Sequence, residues 1–155
     1  MVAAALLTLG CRQAAAPVEE ATSPITEVSV QSDDLVMTMG VSSAEVAVGE
    51  AVAVSFVLRN TSDADRVLHA VSTFLFDFAV FALDGRTVIR KPSSTLPPRP
   101  PSAVRVLRAG ESTAASVVWT PRDPGRYLLE GYAVWTAPGT PLLTTPRLSV
   151  QVRRP

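Results

Sequence analysis

At 155 residues the chain has room for one domain and a tail, and 47% apolar residues are enough to fill a core. Fourteen cations balance fourteen anions, which argues against a basic nucleic-acid face. Cys11 is the only cysteine, so neither an intrachain disulfide nor a thiolate metal cage can form.

Residues 1–11 open the chain with a short apolar run, Met-Val-Ala-Ala-Ala-Leu-Leu-Thr-Leu-Gly, ending at Cys11. This run suits a signal-peptide core and is too short to span a bilayer. Leu7-Thr8-Leu9-Gly10-Cys11 resembles a bacterial lipobox, with Cys11 as the lipidated residue, although Thr8 stands where an aliphatic residue is usual. The expected compartment is the cell envelope as a lipoprotein, or else the periplasm or exterior as a secreted protein. Any membrane attachment would run through Cys11 alone. Residues 12–33 are rich in Ala, Pro, Glu, Thr and Ser, a composition that reads as a disordered tether reaching on the order of 25 Å. Ile25, Val28 and Val30 offer an alternative there, an extra edge strand.

Residues 34–154 read as a sandwich domain. Val52, Val54, Phe56 and Leu58 alternate with Ala53, Ser55 and Val57, and Phe74, Phe76, Phe78 and Val80 form a second stripe. Ala115, Val117 and Trp119 make a third; Leu148, Val150 and Val152, set against Arg147, Ser149, Gln151 and Arg153, make the clearest. Period-two burial predicts strands with one face in the core. Turn residues fall between the stripes at Gly49-Glu50, Asn60-Thr61-Ser62-Asp63, Asp84-Gly85, Ala109-Gly110-Glu111 and Asp123-Pro124-Gly125. A two-residue hairpin at Asp84-Gly85 pairs Ala82 with Thr87 and Val80 with Ile89. The predicted fold is all-β: an immunoglobulin-like antiparallel β-sandwich of seven to nine strands. Tyr127 is either a tyrosine corner or an ordinary strand tyrosine, and Trp119 completes an inward stripe.

Chemistry-bearing motifs are sparse. His69 is the only histidine, and no Gly-x-Ser-x-Gly elbow or phosphate-cradling glycine loop accompanies it. Asp63 and Asp65 share a loop without the spacing of a calcium site. The expectation is a protein that is not an enzyme and has no cofactor, no metal and no nucleic-acid partner. The unusual segment is Lys91-Pro92-Ser93-Ser94-Thr95-Leu96-Pro97-Pro98-Arg99-Pro100-Pro101. Its prolines forbid helix and ladder pairing and favour a stiff extended loop, which loses little entropy on docking. Pro92, Leu96, Pro97, Pro98, Arg99, Pro100 and Pro101 are therefore the candidate partner-binding residues, with a plain inter-sheet connection as the alternative.

Val52-Ala53-Val54-Ser55-Phe56-Val57-Leu58-Arg59-Asn60-Thr61-Ser62 begins an ordered set of motifs. Phe74-Leu75-Phe76-Asp77-Phe78-Ala79-Val80, Asp84-Gly85-Arg86-Thr87-Val88, Leu107-Arg108-Ala109-Gly110-Glu111-Ser112, Trp119 and Pro124-Gly125-Arg126-Tyr127-Leu128 complete it. From Val48 to Val134 this order resembles the BsuPI-type intracellular proteinase inhibitors. Where that family carries a tryptophan-rich run after its Asp-Gly turn, this chain has Val88-Ile89-Arg90-Lys91-Pro92-Ser93. The resemblance implies a protein partner, a protease, inhibited without catalysis. A module that docks a partner without inhibiting it is the alternative. A ligand-binding sandwich with a platform among Trp119, Tyr132 and Trp135 is a third reading.

Overall fold

The computed structural model describes residues 26–70, 75–84, 88–90, 104–136 and 143–155. Residues 1–25, which hold the expected leader, Cys11 and most of the expected tether, lie outside these, as do residues 91–103 with their prolines. Among the described residues every regular element is a strand.

The first layer is one antiparallel sheet in the order β1 (Thr26–Ser32), β2 (Leu35–Val41), β4 (Val52–Asn60) and β9 (Ser112–Trp119). The second has the order β3 (Glu45–Ala47), β12 (Leu148–Arg153), β10 (Gly125–Ala133), β6 (Phe76–Ala82) and β7 (Val88–Arg90). A smaller sheet places β5 (Arg66–Ala70) between β11 (Trp135–Thr136) and β8 (Val104–Leu107). It prolongs the second layer, because β11 follows β10 after Val134 alone and Val134 N–H bonds Leu75 O at 3.1 Å. Among the described residues there are twelve strands, more than the seven to nine expected: nine have four or more residues, and β3, β7 and β11 are short additions at the sheet edges. The molecule is an immunoglobulin-like β-sandwich.

Period-two sequence becomes one-sided burial in β4, where Val52, Val54, Phe56 and Leu58 are sealed while Val57 is exposed. Strand β12 behaves likewise through Leu148, Val150 and Val152. The layers meet where Phe56 stacks on Phe76 at 5.3 Å and tilts against Phe78 at 6.4 Å. Opposite them, Gly131 of β10 stands so close to the first layer that a Cβ there would lie 2.9 Å from both Met39 Sδ and Phe56 Cε1. A side chain at this position would wedge the sheets apart.

Four expectations change. Residues 26–32, read as part of the tether with an edge strand as the alternative, form β1, which pairs with β2 along its whole length. The turn Asp33-Asp34 closes this hairpin: Asp33 adopts φ +49°, which a short Asp side chain tolerates. Asp34 is then held by Arg66 through an ion pair and by Thr61, whose N–H and hydroxyl both donate to Asp34 O. Second, β6 is buried on both faces, so Asp77, Ala79 and Phe81 join Phe76, Phe78 and Val80 out of solvent. Phe74 lies outside the described residues. Third, Phe81 pairs with Val88, the register of a two-residue Asp84-Gly85 turn, but a bulge then sets Val80 opposite Arg90 instead of Ile89. Fourth, Ala115 and Val117 do not share the burial of Trp119. Among the described residues β9 ends the first sheet, and both faces of its middle are exposed.

Two turns repeat one device. In residues 47–50 and again in 108–111, the fourth residue's N–H bonds the first residue's carbonyl, at 3.1 and 3.0 Å. The third residue is glycine at φ +85° and +70°, the left-handed conformation that such a bend requires. The fourth is Glu50 or Glu111, whose carboxylate accepts the first residue's N–H at 2.9 and 2.7 Å.

Candidate functional site

Asn60 organises one end of the sandwich. It is fully buried at the close of β4, and its Nδ2 donates to the carbonyls of Ala64, Leu107 and Arg108 at 2.7, 3.1 and 3.0 Å. Its Oδ1 accepts from the Ser62 N–H and hydroxyl at 3.0 and 2.7 Å. One amide thus ties the 60–64 turn to the strand that leaves β8. Asp65 reinforces the tie by accepting Ala109 N–H at 3.1 Å, so this loop carboxylate serves the fold. Among the described residues no group of three His, Cys, Asp or Glu converges.

Held by this anchor, β5 and β8 form an antiparallel ribbon with Val67 opposite Val106 and His69 opposite Val104. The alternate residues Leu68 and Leu107 fill the core, which fixes the orientation of the others. Val67, Val104 and Val106 are 43%, 60% and 50% exposed, and His69 stands exposed among them. Val67 and Val106 are neighbours across the ribbon and, with Val104, form an exposed apolar strip. Val104 follows the proline-rich segment after Ser102 and Ala103, and Arg90 of β7 precedes it. Pro92, Leu96, Pro97, Pro98, Arg99, Pro100 and Pro101 lie outside the described residues, and so does Cys11.

A polar group occupies the outer face of the second layer. Arg147 Nε donates to Glu130 Oε2 at 2.9 Å, and its guanidinium lies 4.3 Å from the centre of the Phe81 ring. The Tyr132 hydroxyl donates to the other Glu130 oxygen. Burial first, then this hydrogen bond and the Glu130 charge, hold the Tyr132 phenol well above the ordinary phenol range; Arg147 opposes them and Asp77 adds to them. Asp77 sits opposite Tyr132 in the ladder and accepts Phe78 N–H at 2.8 Å. Each of these polar atoms is committed to the protein itself. Among the described residues no buried side-chain nitrogen or oxygen lacks a hydrogen-bond partner.

Tyr127 resolves its two readings as a tyrosine corner: its hydroxyl donates to Asp123 O at 2.9 Å, four residues back. Burial, with the Asp123 charge second, raises its pKa. Trp119 meets the Tyr127 ring edge-on at 5.4 Å and is core. Trp135 packs against the core and Tyr132 is tied to Glu130, so the three proposed platform aromatics do not form an open stacking surface.

Sequence reasoning missed the valine ribbon. Its signal was present in Arg66-Val67-Leu68-His69 and Val104-Arg105-Val106-Leu107, where β-branched residues alternate with leucine or arginine. Period two cannot say which of two apolar faces is the covered one.

No family model matches the chain, and no curated protein matches it. Among solved structures it is similar to the Pseudomonas fluorescens alkylpurine DNA glycosylase AlkC bound to DNA containing an abasic site analog, at 17% identity and a TM-score of 0.42. That likeness covers 71% of this chain, and the chain spans 28% of the glycosylase. It is also similar to the CARDB domain of a Pyrococcus furiosus protein solved in complex with di-metal ions, at 11% identity, with 91% and 100% covered and a TM-score of 0.44. The C-terminal domain of Wzt aligns at 14% identity over 83% of this chain and 78% of that one, with a TM-score of 0.46. None of these likenesses carries a function across.

Proposed function

We propose that this chain is a non-enzymatic protein-binding domain of the cell envelope, and that its partner is a proteinase which it inhibits. The observation that carries the reading is the exposed ribbon of Val67, Val104 and Val106, which runs directly out of residues 91–103. A β-ribbon whose register is locked by Asn60 offers an apolar strip at little entropic cost. The prolines beside it restrict the adjoining backbone in sequence, and Pro100 after Arg99 hinders cleavage at that bond. The resemblance to BsuPI-type inhibitors supplies the class of partner.

Titration of the purified chain against a panel of serine proteases tests this. Inhibition at micromolar concentration is expected, and its absence across the panel removes the inhibitor reading. The second reading is an interaction module, tethered through lipidated Cys11, that docks without inhibiting; the same ribbon supports it. Affinity capture from envelope fractions, repeated with residues 92–101 replaced by a Gly/Ser linker, distinguishes a partner held by the prolines from one held by the valines. Mass spectrometry of the mature N-terminus tests the anchor: a diacylglyceryl-cysteine is expected at residue 11.

A further inference from the structure

Among the described residues the β9 edge of the first sheet is unpaired, and it is built unlike the other edges. Strand β9 reads Ser-Thr-Ala-Ala-Ser-Val-Val-Trp over eight residues, without charge, proline or glycine. It pairs with β4 without a bulge, from Val52↔Trp119 to Arg59↔Ser112. All of its residues except Thr113 and Trp119 are exposed, including Val117 at 36% and Val118 at 59%. Natural sheets blunt their edges by charge, shortness or bulges. The remaining described edges follow that rule. β1 carries Glu27, β3 is three residues long with Glu45, β7 is three residues long with Arg90, β8 is four residues long with Arg105, and β11 has two residues. Strand β9 uses none of these devices.

The register also shows which backbone groups are available. Asn60 N–H bonds Glu111 O at 2.9 Å, which places this pair at a bonded position of the ladder, and bonded and non-bonded pairs alternate from there. Thr113, Ala115, Val117 and Trp119 therefore spend their backbone groups on β4. Ser112, Ala114, Ser116 and Val118 direct theirs to the open side, and among the described residues no strand lies there.

We infer that β9 is a self-association edge, where a second copy of this chain adds its own β9 antiparallel to make one sheet running through both molecules. A strand without charge can lie against itself without like-charge repulsion, which the edges bearing Glu27, Glu45, Arg90 or Arg105 do less well. Two-fold symmetry requires that each pairing occur twice, and a register centred on Ala115 meets this. Ser112 then faces Val118 of the second copy and Ala114 faces its Ser116. Every outward N–H and C=O of the strand gains a partner, the small Ala115 residues meet at the axis, and Val117 comes to lie beside Thr113 of the second copy. An edge contact is small, so the association is weak.

Sedimentation velocity of the full chain, in reducing buffer so that Cys11 cannot cross-link, is the test. The expected result is a concentration-dependent shift from 16.4 kDa toward twice that mass between about 10 µM and 1 mM. Ser116→Pro removes one outward N–H while sparing every bond to β4, and weakens association by roughly 100-fold with an unchanged melting curve. The double variant Ala114→Lys, Ser116→Lys puts like charges directly opposite and keeps the question answerable if the proline variant misfolds; its loss of dimer is expected to ease in high salt. A wild-type chain that stays monomeric to 1 mM overturns the inference, even if an unrelated extended peptide binds the edge. A dimer that survives both variants overturns it as well.

Discussion

Gly131→Ala is a sharp test of how the two layers meet. The added methyl would lie 2.9 Å from Met39 Sδ, 2.9 Å from Phe56 Cε1 and 3.2 Å from Met37 Cε. The two methionine ends can swing aside at low cost, since Met adapts readily in cores. Phe56 cannot, because its ring is stacked on Phe76 at an interplanar angle of 12°. The backbone of Gly131 is pinned as well: its N–H donates to Thr145 Oγ1 and its carbonyl accepts Thr145 N–H, both at 2.9 Å. Overpacking of this kind costs about 1–3 kcal/mol. Alanine offsets roughly 0.4–1 kcal/mol of that by narrowing the unfolded ensemble. A net loss of about 1–2 kcal/mol is expected, read by urea titration of tryptophan fluorescence as a lower midpoint with unchanged slope. Combining Gly131→Ala with Met39→Val, which removes one of the crowded atoms, should recover roughly 0.5–1 kcal/mol relative to additivity. A variant as stable as the parent, or a strictly additive pair, would refute the close approach of the sheets at this point.

Other expectations follow from the same packing. Asn60→Ala leaves the Leu107 carbonyl without its amide partner and is expected to cost about 3 kcal/mol, measured by thermal unfolding; a loss below about 1 kcal/mol contradicts the anchor. Tyr127→Phe keeps the ring against Trp119 but drops the bond to Asp123, and should cost about 1 kcal/mol by the same measurement. Both phenols hold their protons more tightly folded than unfolded, so their contribution is complete below the ordinary phenol pKa of about 10 and is lost as pH rises through the folded values. Stability should therefore decline above about pH 10, and Tyr127→Phe with Tyr132→Phe should flatten that decline in chemical-denaturation curves taken across the range. Val104→Asp and Val106→Asp should abolish partner capture while shifting stability by less than about 0.5 kcal/mol, since both side chains already face water.

Much of the sandwich was legible because burial and period agree in its central strands. Val52 to Leu58 and Leu148 to Val152 each have a covered face and a wet one, which alternation records directly. The Gly-Glu turns were legible for a local reason: left-handed glycine followed by a carboxylate completes each bend with little help from the rest of the chain. Legibility failed where burial depends on neighbours distant in sequence. Ala115 and Val117 have the same parity as Trp119, yet only Trp119 lies beneath the second layer. Asp77 looks like an outward residue and is buried, because the outer face of β6 is covered too, with Arg147 lying over the neighbouring Phe81 ring. The polar residues of Thr26–Ser32 resemble a spacer, and the signals that mark them as half of a hairpin are slight: Val28 and Val30, the Asp33-Asp34 bend and the apolar run after it. The ribbon of Val67, Val104 and Val106 required knowing that Leu68 and Leu107, rather than the valines, point inward.

Strand β3 runs parallel to β12, with Val46 set against Val152 and Val48 N–H bonded to Arg153 O at 3.0 Å. The ion pair that closes this seam joins Glu45 to Arg153, 108 positions later. On the ribosome, then, Val46 must wait for about a hundred further residues before its neighbour exists. Until β12 emerges, the nascent chain carries an unfinished second layer and bare aliphatic faces, the condition in which holding chaperones find clients.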